Sequence, residues 1–309
     1  SRGLGDVYKR QFQRIRDMIF GEKIEKQYIN VAKNINIAIC SKGAGPPLLL
    51  LHGYPQTGYM WHKIAPRLAE DFTVVVADLR GYGDSDKPTS REDHAVYSKR
   101  AMAADMMAVM TALGHSQFFI AGHDRGGRVA HRLARDYPQA VTKLAVLDIA
   151  PTAMMYDTTD MHFATSYYHW FFLIQPAPFP ETLIGSDPKF FLESKMQHWG
   201  KDRSAITNDA FDEYLRCFSN PDTIHASCED YRASASIDLE HDAADVGLKL
   251  DIPLLVLWGA TAMVGNKYDM LCAWQEVATD VTGFAVPGGH YLPEESPDET
   301  YQALLDFFT

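Results

Sequence analysis

Short apolar runs recur along the chain at a spacing that suits buried β-strands. The runs cover residues 48–51, 73–78, 117–122, 143–148, 253–259 and 282–288. Because they are apolar at consecutive rather than alternate positions, they predict strands that are covered on both faces. Amphipathic helical patterns separate them at 98–113 and 125–137, and a final helix over 297–308 is entered through Pro297. This alternation predicts an α/β fold, a mostly parallel sheet with helices on both faces.

The alternation is interrupted between residues 151 and 238. This stretch begins with the aromatic, proline-rich segment "SYYHWFFLIQPAPFPETLIG" and continues with helical patterns at 188–199 and 209–218. We therefore expect a helical cap, or lid subdomain, over 151–238. It would lie over the carboxyl edge of the sheet, where ligand sites of open α/β sheets are found.

The two parts of the chain that flank the cap form the expected core. We assign 21–150 and 239–309 to this core. The N-terminal segment 1–20 has no hydrophobic period at its start, "SRGLGDVYKRQ", so we expect a leader or disordered segment there.

Composition narrows the classes of function. The formal charge of −11 in 309 residues argues against nucleic acid and anionic membranes as partners. No apolar run reaches the ~18 residues of a membrane span, so we expect a cytoplasmic protein. The four cysteines have neither metal-ligand nor redox spacing. No metal or organic cofactor is implied.

The segment "GHDRGGR" (122–128) carries the strongest chemical signal. Asp124 follows an apolar strand and opens a helix, with Gly122 and Gly126 on either side. This is the strand–turn–helix context of a nucleophile elbow, in which the glycines avoid collisions across a sharp corner. The alternative is an aspartate that caps the helix. As a nucleophile, an ionised carboxylate would displace a leaving group at carbon and form an ester.

Hydrolysis of that ester requires a base and an acid that orients it. His290, in "VPGGHYLPEESP", follows the last strand, which is the place of the histidine in this architecture. The acid often follows the next-to-last strand, but Ala262 stands there in "WGATAMVG". Asp148, at the end of the strand after the elbow, is the candidate instead. For the oxyanion we expect the backbone N–H groups of Tyr54, in "LHGYP", and of Arg125.

Several segments together resemble one family. "DLRGYGDSDKP", "GHDRGGR", "YHWFFLIQPAPFPE", "CEDYRA" and "GHYLPEE" are similar to haloacetate (fluoroacetate) dehalogenases of the α/β-hydrolase superfamily. The likeness runs from about residue 20 to the C-terminus. It implies hydrolysis of fluoroacetate or chloroacetate to glycolate and halide through a covalent aspartyl ester. It also implies a homodimer.

The resemblance extends to the substrate-binding residues. It implies that Arg125 and Arg128, neighbours on one helix face, bind the carboxylate of a small haloacid. It further implies that His169, Trp170 and Tyr231 form a halide pocket, since each side chain carries a hydrogen-bond donor.

Two other functions remain open at this point. An epoxide hydrolase uses the same nucleophile, acid and base, and Tyr231 could be one of the tyrosines that it needs. A non-catalytic ligand receptor on the hydrolase fold is a candidate of a different class.

Overall fold

Eight strands form one sheet in residues 18–22 and 24–309, the part of the chain that the computed structural model describes. The strands are β1 (Gln27–Ala32), β2 (Ile35–Lys42), β3 (Pro47–Leu51), β4 (Thr73–Ala77), β5 (Phe118–His123), β6 (Val141–Leu147), β7 (Leu254–Gly259) and β8 (Val281–Val286). Their spatial order is β1-β2-β4-β3-β5-β6-β7-β8. β2 pairs antiparallel with β1 and with β4, whereas all pairs from β4 to β8 are parallel.

The six predicted strands are β3 to β8, and the structure confirms the position of each with its ends shifted by at most two residues. The expected cover on both faces is wrong for β8, which lies at the edge of the sheet and is buried only at Val286. β1 and β2 were not predicted. They add an antiparallel edge to the sheet, and β1 is only partly covered there, with no fully buried residue. The fold class is confirmed as α/β with a mostly parallel sheet.

Fifteen α-helices accompany the strands in the described ranges. They are α1 (Ala65–Leu68), α2 (Lys99–Ala112), α3 (Arg125–Asp136), α4 (Thr152–Asp157), α5 (Met161–Ser166), α6 (Tyr168–Leu173), α7 (Phe179–Ser186), α8 (Pro188–Trp199), α9 (Asn208–Phe218), α10 (Pro221–Ser234), α11 (Ile237–Ala244), α12 (Met263–Lys267), α13 (Met270–Gln275), α14 (Leu292–Glu295) and α15 (Pro297–Phe308). Short 3₁₀ turns lie at Gly58–Trp61, Ala95–Tyr97 and Arg203–Ala205. In the described part of the chain, no helix is long and apolar enough to cross a bilayer.

Helices α4 to α11 follow one another between β6 and β7 without an intervening strand. We use the name cap for this helical insertion. The expected leader falls mostly on residues 1–17, which lie outside the described residues. Two residues at its end, Ile19 and Phe20, are buried in the hydrophobic core.

The register of the strands determines where the loops that carry the candidate site residues leave the sheet. β3 and β5 pair with Leu51 opposite Gly122, and β5 and β6 pair with His123 opposite Leu147. The loops after these three parallel strands therefore leave the same edge of the sheet side by side. Asp124 and Asp148 lie in two of these loops.

Candidate active site

A strained corner between β5 and α3 holds Asp124. Its φ of 45° and ψ of −114° lie in a region that residues other than glycine rarely adopt. A Cβ on Gly122 would lie 2.4 Å from the carbonyl oxygen of Gly126, and one on Gly126 would lie 2.4 Å from that of His52. The tightness of the turn therefore explains both glycines. The Asp124 side chain makes no capping hydrogen bond to α3, which removes the main argument for a purely structural aspartate.

The loop after β3 contacts the carboxylate of Asp124. The backbone N–H of Tyr54 donates to Oδ2 of Asp124 at 2.9 Å. No described residue donates to Oδ1, so that oxygen is available to attack a substrate. The predicted Tyr54 N–H thus contacts Asp124 through Oδ2. The N–H of Arg125, the second predicted donor, makes no such bond here.

Nearby positive charges keep Asp124 ionised. Burial by itself would raise the pKa of this carboxyl, but His290, His123, Arg125 and Arg128 outweigh it and lower the pKa below the ordinary value. An ionised carboxylate is the form that a nucleophile requires.

Asp148 and His290 form the expected acid–base pair. Nδ1 of His290 lies 2.6 Å from Oδ2 of Asp148, and Oδ1 of Asp148 accepts from the N–H of Gly259 at 3.0 Å. Burial lowers the pKa of His290, but the hydrogen bond and charge of Asp148 raise it more, so the net shift is upward. Ala262, where relatives of this architecture often carry the acid, offers no carboxylate. Asp148 after β6 provides a carboxylate in contact with His290, and its role as the acid stays a prediction.

The backbone of His290 is held from two sides. Its N–H donates to the carbonyl of Trp199 at the end of α8, at 3.0 Å. Its own carbonyl oxygen lies 2.7 Å from Nε2 of His123, the last residue of β5. The base is therefore fixed both to the cap and to the strand that carries the nucleophile.

The two arginines of the expected carboxylate clamp have different surroundings. Arg125 is fully buried, and its Nε and Nη2 bind the Asp230 carboxylate at 2.9 and 2.6 Å. Its Nη2 also donates to the Asp230 carbonyl at 2.8 Å, and its guanidinium lies 4.1 Å from the centre of the Tyr231 ring. The charge of Arg125 is thus already balanced by a residue of the cap.

Arg128 has no carboxylate partner among residues 18–22 and 24–309. Its Nη1 donates to the Ala150 carbonyl at 3.1 Å and to the Thr152 hydroxyl at 2.7 Å, and Nη2 lies 3.2 Å from the Met155 sulfur. Its Nε has no partner although the side chain is only 4 % exposed. Burial and the charge of Arg125 lower the pKa of Arg128. A buried guanidinium in this situation is a strong attractor for an anion.

The three residues of the expected halide pocket lie together. The His169 ring is 5.5 Å from the Tyr231 ring, and the Trp170 ring is 6.4 Å from it, measured between centroids. The Tyr231 hydroxyl and the His169 Nδ1 are buried without a hydrogen-bond partner. Trp170 also faces Arg128, whose guanidinium carbon lies 4.8 Å from its ring centre. The structure thus brings the predicted halide residues next to the unpaired arginine.

Three features of the site were not expected from the sequence. Asp230, which binds Arg125, stands inside the quoted segment "CEDYRA" but was not singled out. The Trp199 ring lies 4.4 Å from the His169 ring and 5.7 Å from the His290 ring, measured between centroids. Its indole N–H and the Tyr54 hydroxyl are buried and unpartnered, and the Tyr54 ring lies 6.2 Å from the His169 ring. Only their position next to a predicted motif could have indicated them.

A cavity of about 270 Å³ leads to the acid–base pair. Its wall includes Asp148, His290, Tyr167, Trp199 and Met263. This volume is sufficient for a small organic acid and several waters. In the described ranges, no group of His, Cys, Asp or Glu side chains is arranged to hold a metal ion.

The family model of the alpha/beta hydrolase fold matches residues 46–297. The chain therefore belongs to the α/β-hydrolase family. The expectation of a hydrolase, and the resemblance to haloacetate dehalogenases, are supported by similar proteins of known name.

A fluoroacetate dehalogenase from Burkholderia sp. is 43 % identical over 93 % of this chain and 95 % of its own length. A soluble epoxide hydrolase from Corynebacterium sp. strain C12 is 36 % identical over 86 % of this chain and 91 % of its own. The crystal structure of an alpha/beta hydrolase from Nostoc sp. PCC 7120 superposes with a TM-score of 0.91. Its sequence is 58 % identical, and the match covers 93 % of this chain and 98 % of the Nostoc chain. Both activities weighed from the sequence thus occur among its relatives.

Proposed function

We propose that this protein hydrolyses haloacetates, with fluoroacetate and chloroacetate as substrates, to glycolate and halide. The observation that carries the proposal is the buried Arg128 guanidinium, which lacks a carboxylate partner and lies near the ionised Asp124. An epoxide carries no charge and has no use for such a cation. A haloacetate supplies the missing carboxylate.

The first step is a displacement at carbon. Arg128 binds the substrate carboxylate, while Arg125, held by Asp230, contributes positive charge beside it. Oδ1 of Asp124 attacks the α-carbon as the carbon–halogen bond breaks, and the halide leaves with the bonding electrons. The donors of His169, Trp170 and Tyr231 replace the water that a departing fluoride would otherwise bind.

The second step is hydrolysis of the ester. His290, oriented by Asp148, removes a proton from water, and the hydroxide adds to the carbonyl carbon of Asp124. The negative charge develops on Oδ2, where the N–H of Tyr54 already donates. Collapse releases glycolate, and the proton on His290 returns to the leaving alkoxide. Asp124 then carries one oxygen from water, and its carboxyl releases the remaining proton of that water to solvent, which restores the carboxylate.

Halide release from fluoroacetate and chloroacetate tests the proposal, with the wild type and Asp124→Asn measured in parallel. We expect release by the wild type and loss of at least about a thousandfold in the variant. A single turnover in H₂¹⁸O, followed by mass analysis of the peptide that contains Asp124, should place the label in that side chain. No halide from either acid would overturn the assignment.

Epoxide hydrolysis is the second candidate, because the unpartnered Tyr231 hydroxyl and His169 could protonate an epoxide oxygen. The same protein preparation should be assayed with styrene oxide. Turnover of the epoxide without any halide release from the acids would favour this activity.

Three proposals concern organisation: the homodimer rests on the resemblance, and the location and the domain ranges rest on the sequence pattern. We infer a cytoplasmic homodimer in which the cap of 151–238 covers a core made of 21–150 and 239–309. Light scattering coupled to size-exclusion chromatography measures the mass of the assembly directly.

A further inference from the structure

A second, much smaller cavity adjoins Arg128. It has a volume of about 20 Å³, and its wall includes Arg128, Arg132, Thr152, Asp238 and Asp242. None of its lining residues belongs to the cavity of about 270 Å³ beside His290. We call it the rear chamber. Arg128 therefore contacts two places: its guanidinium lies over Trp170 of the expected halide pocket, and it also lines the rear chamber.

The arginines of the rear chamber leave hydrogen-bond donors unused. Nη2 of Arg132 binds Asp136 at 2.9 Å and also pairs with Asp245, but Nε and Nη1 of Arg132 have no partner. Nε of Arg128 is unpartnered as well. Both side chains are at least nine-tenths buried. Buried donors almost always have partners in folded proteins, so three unpartnered nitrogens around one cavity indicate a ligand.

The charge of the wall and the size of the rear chamber limit which ligands it can hold. The wall carries four cationic side chains and two carboxylates. His131 adds no charge, because its Nε2 accepts a hydrogen bond from Arg135 and burial lowers its pKa far below the usual value. The volume accommodates one water-sized particle. Fluoride is close to water in size, whereas a haloacetate is too large.

The rear chamber adjoins a groove at the protein surface. It shares His131, Arg135, Thr152 and Asp242 with this groove of about 420 Å³. Val246 and Leu248 on the wall of the groove are 81 % and 60 % exposed, so the groove lies at the surface. The groove shares no wall residue with the cavity at His290, so the rear chamber is next to the surface on a different side.

We propose that the rear chamber is a binding site for one fluoride-sized anion, separate from the pocket of His169, Trp170 and Tyr231. Arg132 and Arg128 donate to the ion, and Asp242 opposes it by charge. Its use as a stopping point for departing product fluoride rests on the proposed function. The binding of fluoride itself does not.

A ¹⁹F NMR titration with sodium fluoride, in the absence of substrate, tests this site. We expect two bound fluoride ions per chain in the wild type. Tyr231→Phe should remove the ion of the halide pocket only, and Arg132→Met should remove the ion of the rear chamber only. Asp242→Asn should tighten binding in the rear chamber by about fivefold, since one opposing charge is lost.

Two variants of the rear chamber, Arg132→Met and Asp242→Asn, distinguish a loss of fluoride binding from a loss of folding. Arg132→Met loses ion pairs and can destabilise the protein, but the carboxylate of Asp242 makes no hydrogen bond or ion pair within the described residues, so Asp242→Asn should fold normally. Fluoride binding that is the same in wild type, folded Arg132→Met and Asp242→Asn overturns the proposal and indicates water in the chamber. Binding that responds to Asp242→Asn, without turnover of fluoroacetate, supports the chamber while the proposed activity fails.

Discussion

Arg125 and Asp230 form a buried two-point ion pair between the first turn of α3 and helix α10. The pair joins residues 105 positions apart, and neither side chain is exposed. Lys99 and the Tyr82 hydroxyl bind the same carboxylate, the latter at 2.7 Å. Arg125 therefore anchors the cap beside Asp124, whereas Arg128, three residues later, has no carboxylate partner in the described residues and is the proposed substrate ligand. The two arginines therefore differ in what they are expected to do.

Arg128→Gln should weaken substrate binding. We expect kcat/KM for chloroacetate to fall by about a hundredfold, mainly through KM, since a charge-assisted contact to the substrate is lost. Arg100→Gln is the matched control, because Arg100 is an exposed helix arginine that pairs only with Asp136 in the described structure. An equal loss in both variants would contradict a specific role of Arg128.

Asp230→Asn should act on stability. It leaves the buried Arg125 without its carboxylate and removes the nearer of the two carboxylates of Lys99, which should lower the free energy of unfolding by about 3–5 kcal/mol. Urea unfolding measures this loss. Asp222→Asn, at the exposed start of the same helix, should change the free energy of unfolding by less than about 1 kcal/mol. If Asp230→Asn is equally mild, the ion pair does not anchor the cap.

The pH dependence of ester hydrolysis should report on His290. Only neutral imidazole can take a proton from water, and Asp148 raises the pKa of His290 in spite of burial. Single-turnover hydrolysis should therefore be lost as pH falls, with a midpoint above 6.5. Asp148→Asn should slow this step and shift the midpoint to lower pH, because the stabilising charge is gone. A midpoint that stays in place would show that Asp148 does not set this pKa.

Gly53→Ala should displace the side chain of Asp124, the proposed nucleophile. Its Cβ would lie 2.6 Å from Cβ of Asp124 and 2.7 Å from Nδ1 of His123, so one of them must move. We expect halide release to fall by at least about tenfold, since misplacement of a catalytic group by an ångström is costly. Gly185→Ala in α7 meets no atom within 4 Å and should leave activity unchanged. Normal activity of Gly53→Ala would contradict the tight packing of this turn.

Glu294 should make stability depend on pH. It is buried in α14, receives hydrogen bonds from Gln56 and, at 3.0 Å, from the Tyr214 hydroxyl, and burial raises its pKa to about 8. Because the unfolded carboxyl ionises near 4.5, the folded state binds the extra proton between about pH 4.5 and 8, and stability falls as pH rises through that window. Glu294→Gln should remove this slope and stabilise the protein at pH 8 by about 2–4 kcal/mol. Chemical unfolding at several pH values measures it, and parallel curves for both proteins would contradict the prediction.

The parallel core of the sheet was predictable because it is buried on both faces. β3 to β7 consist of apolar runs that leave little choice of structure, and the glycine pattern around Asp124 specifies its turn. β1, in contrast, lies at an edge, and "QYINVA" mixes polar and apolar positions without a decisive period. Its pairing with β2 depends on the hairpin partner, which short-range patterns do not identify.

Some residues of the candidate site could likewise be predicted from the sequence, and others could not. Asp124 and His290 are marked by their local sequence, and the missing carboxylate at Ala262 pointed to Asp148 by elimination. Asp230 and Trp199 gained their places from contacts across the cap, far away in the chain. No spacing rule could show that Arg125 would be neutralised by one of these residues while Arg128 would not.

The hydrogen bond from the backbone N–H of His290 to the carbonyl oxygen of Trp199 links the loop of His290 to helix α8 of the cap. A cap that moved away from the core as a rigid lid would break this hydrogen bond or pull on the loop that carries His290. Because Nδ1 of His290 lies 2.6 Å from Asp148, such a pull would also act on the contact between these two side chains. The position of the cap and the position of His290 are therefore coupled.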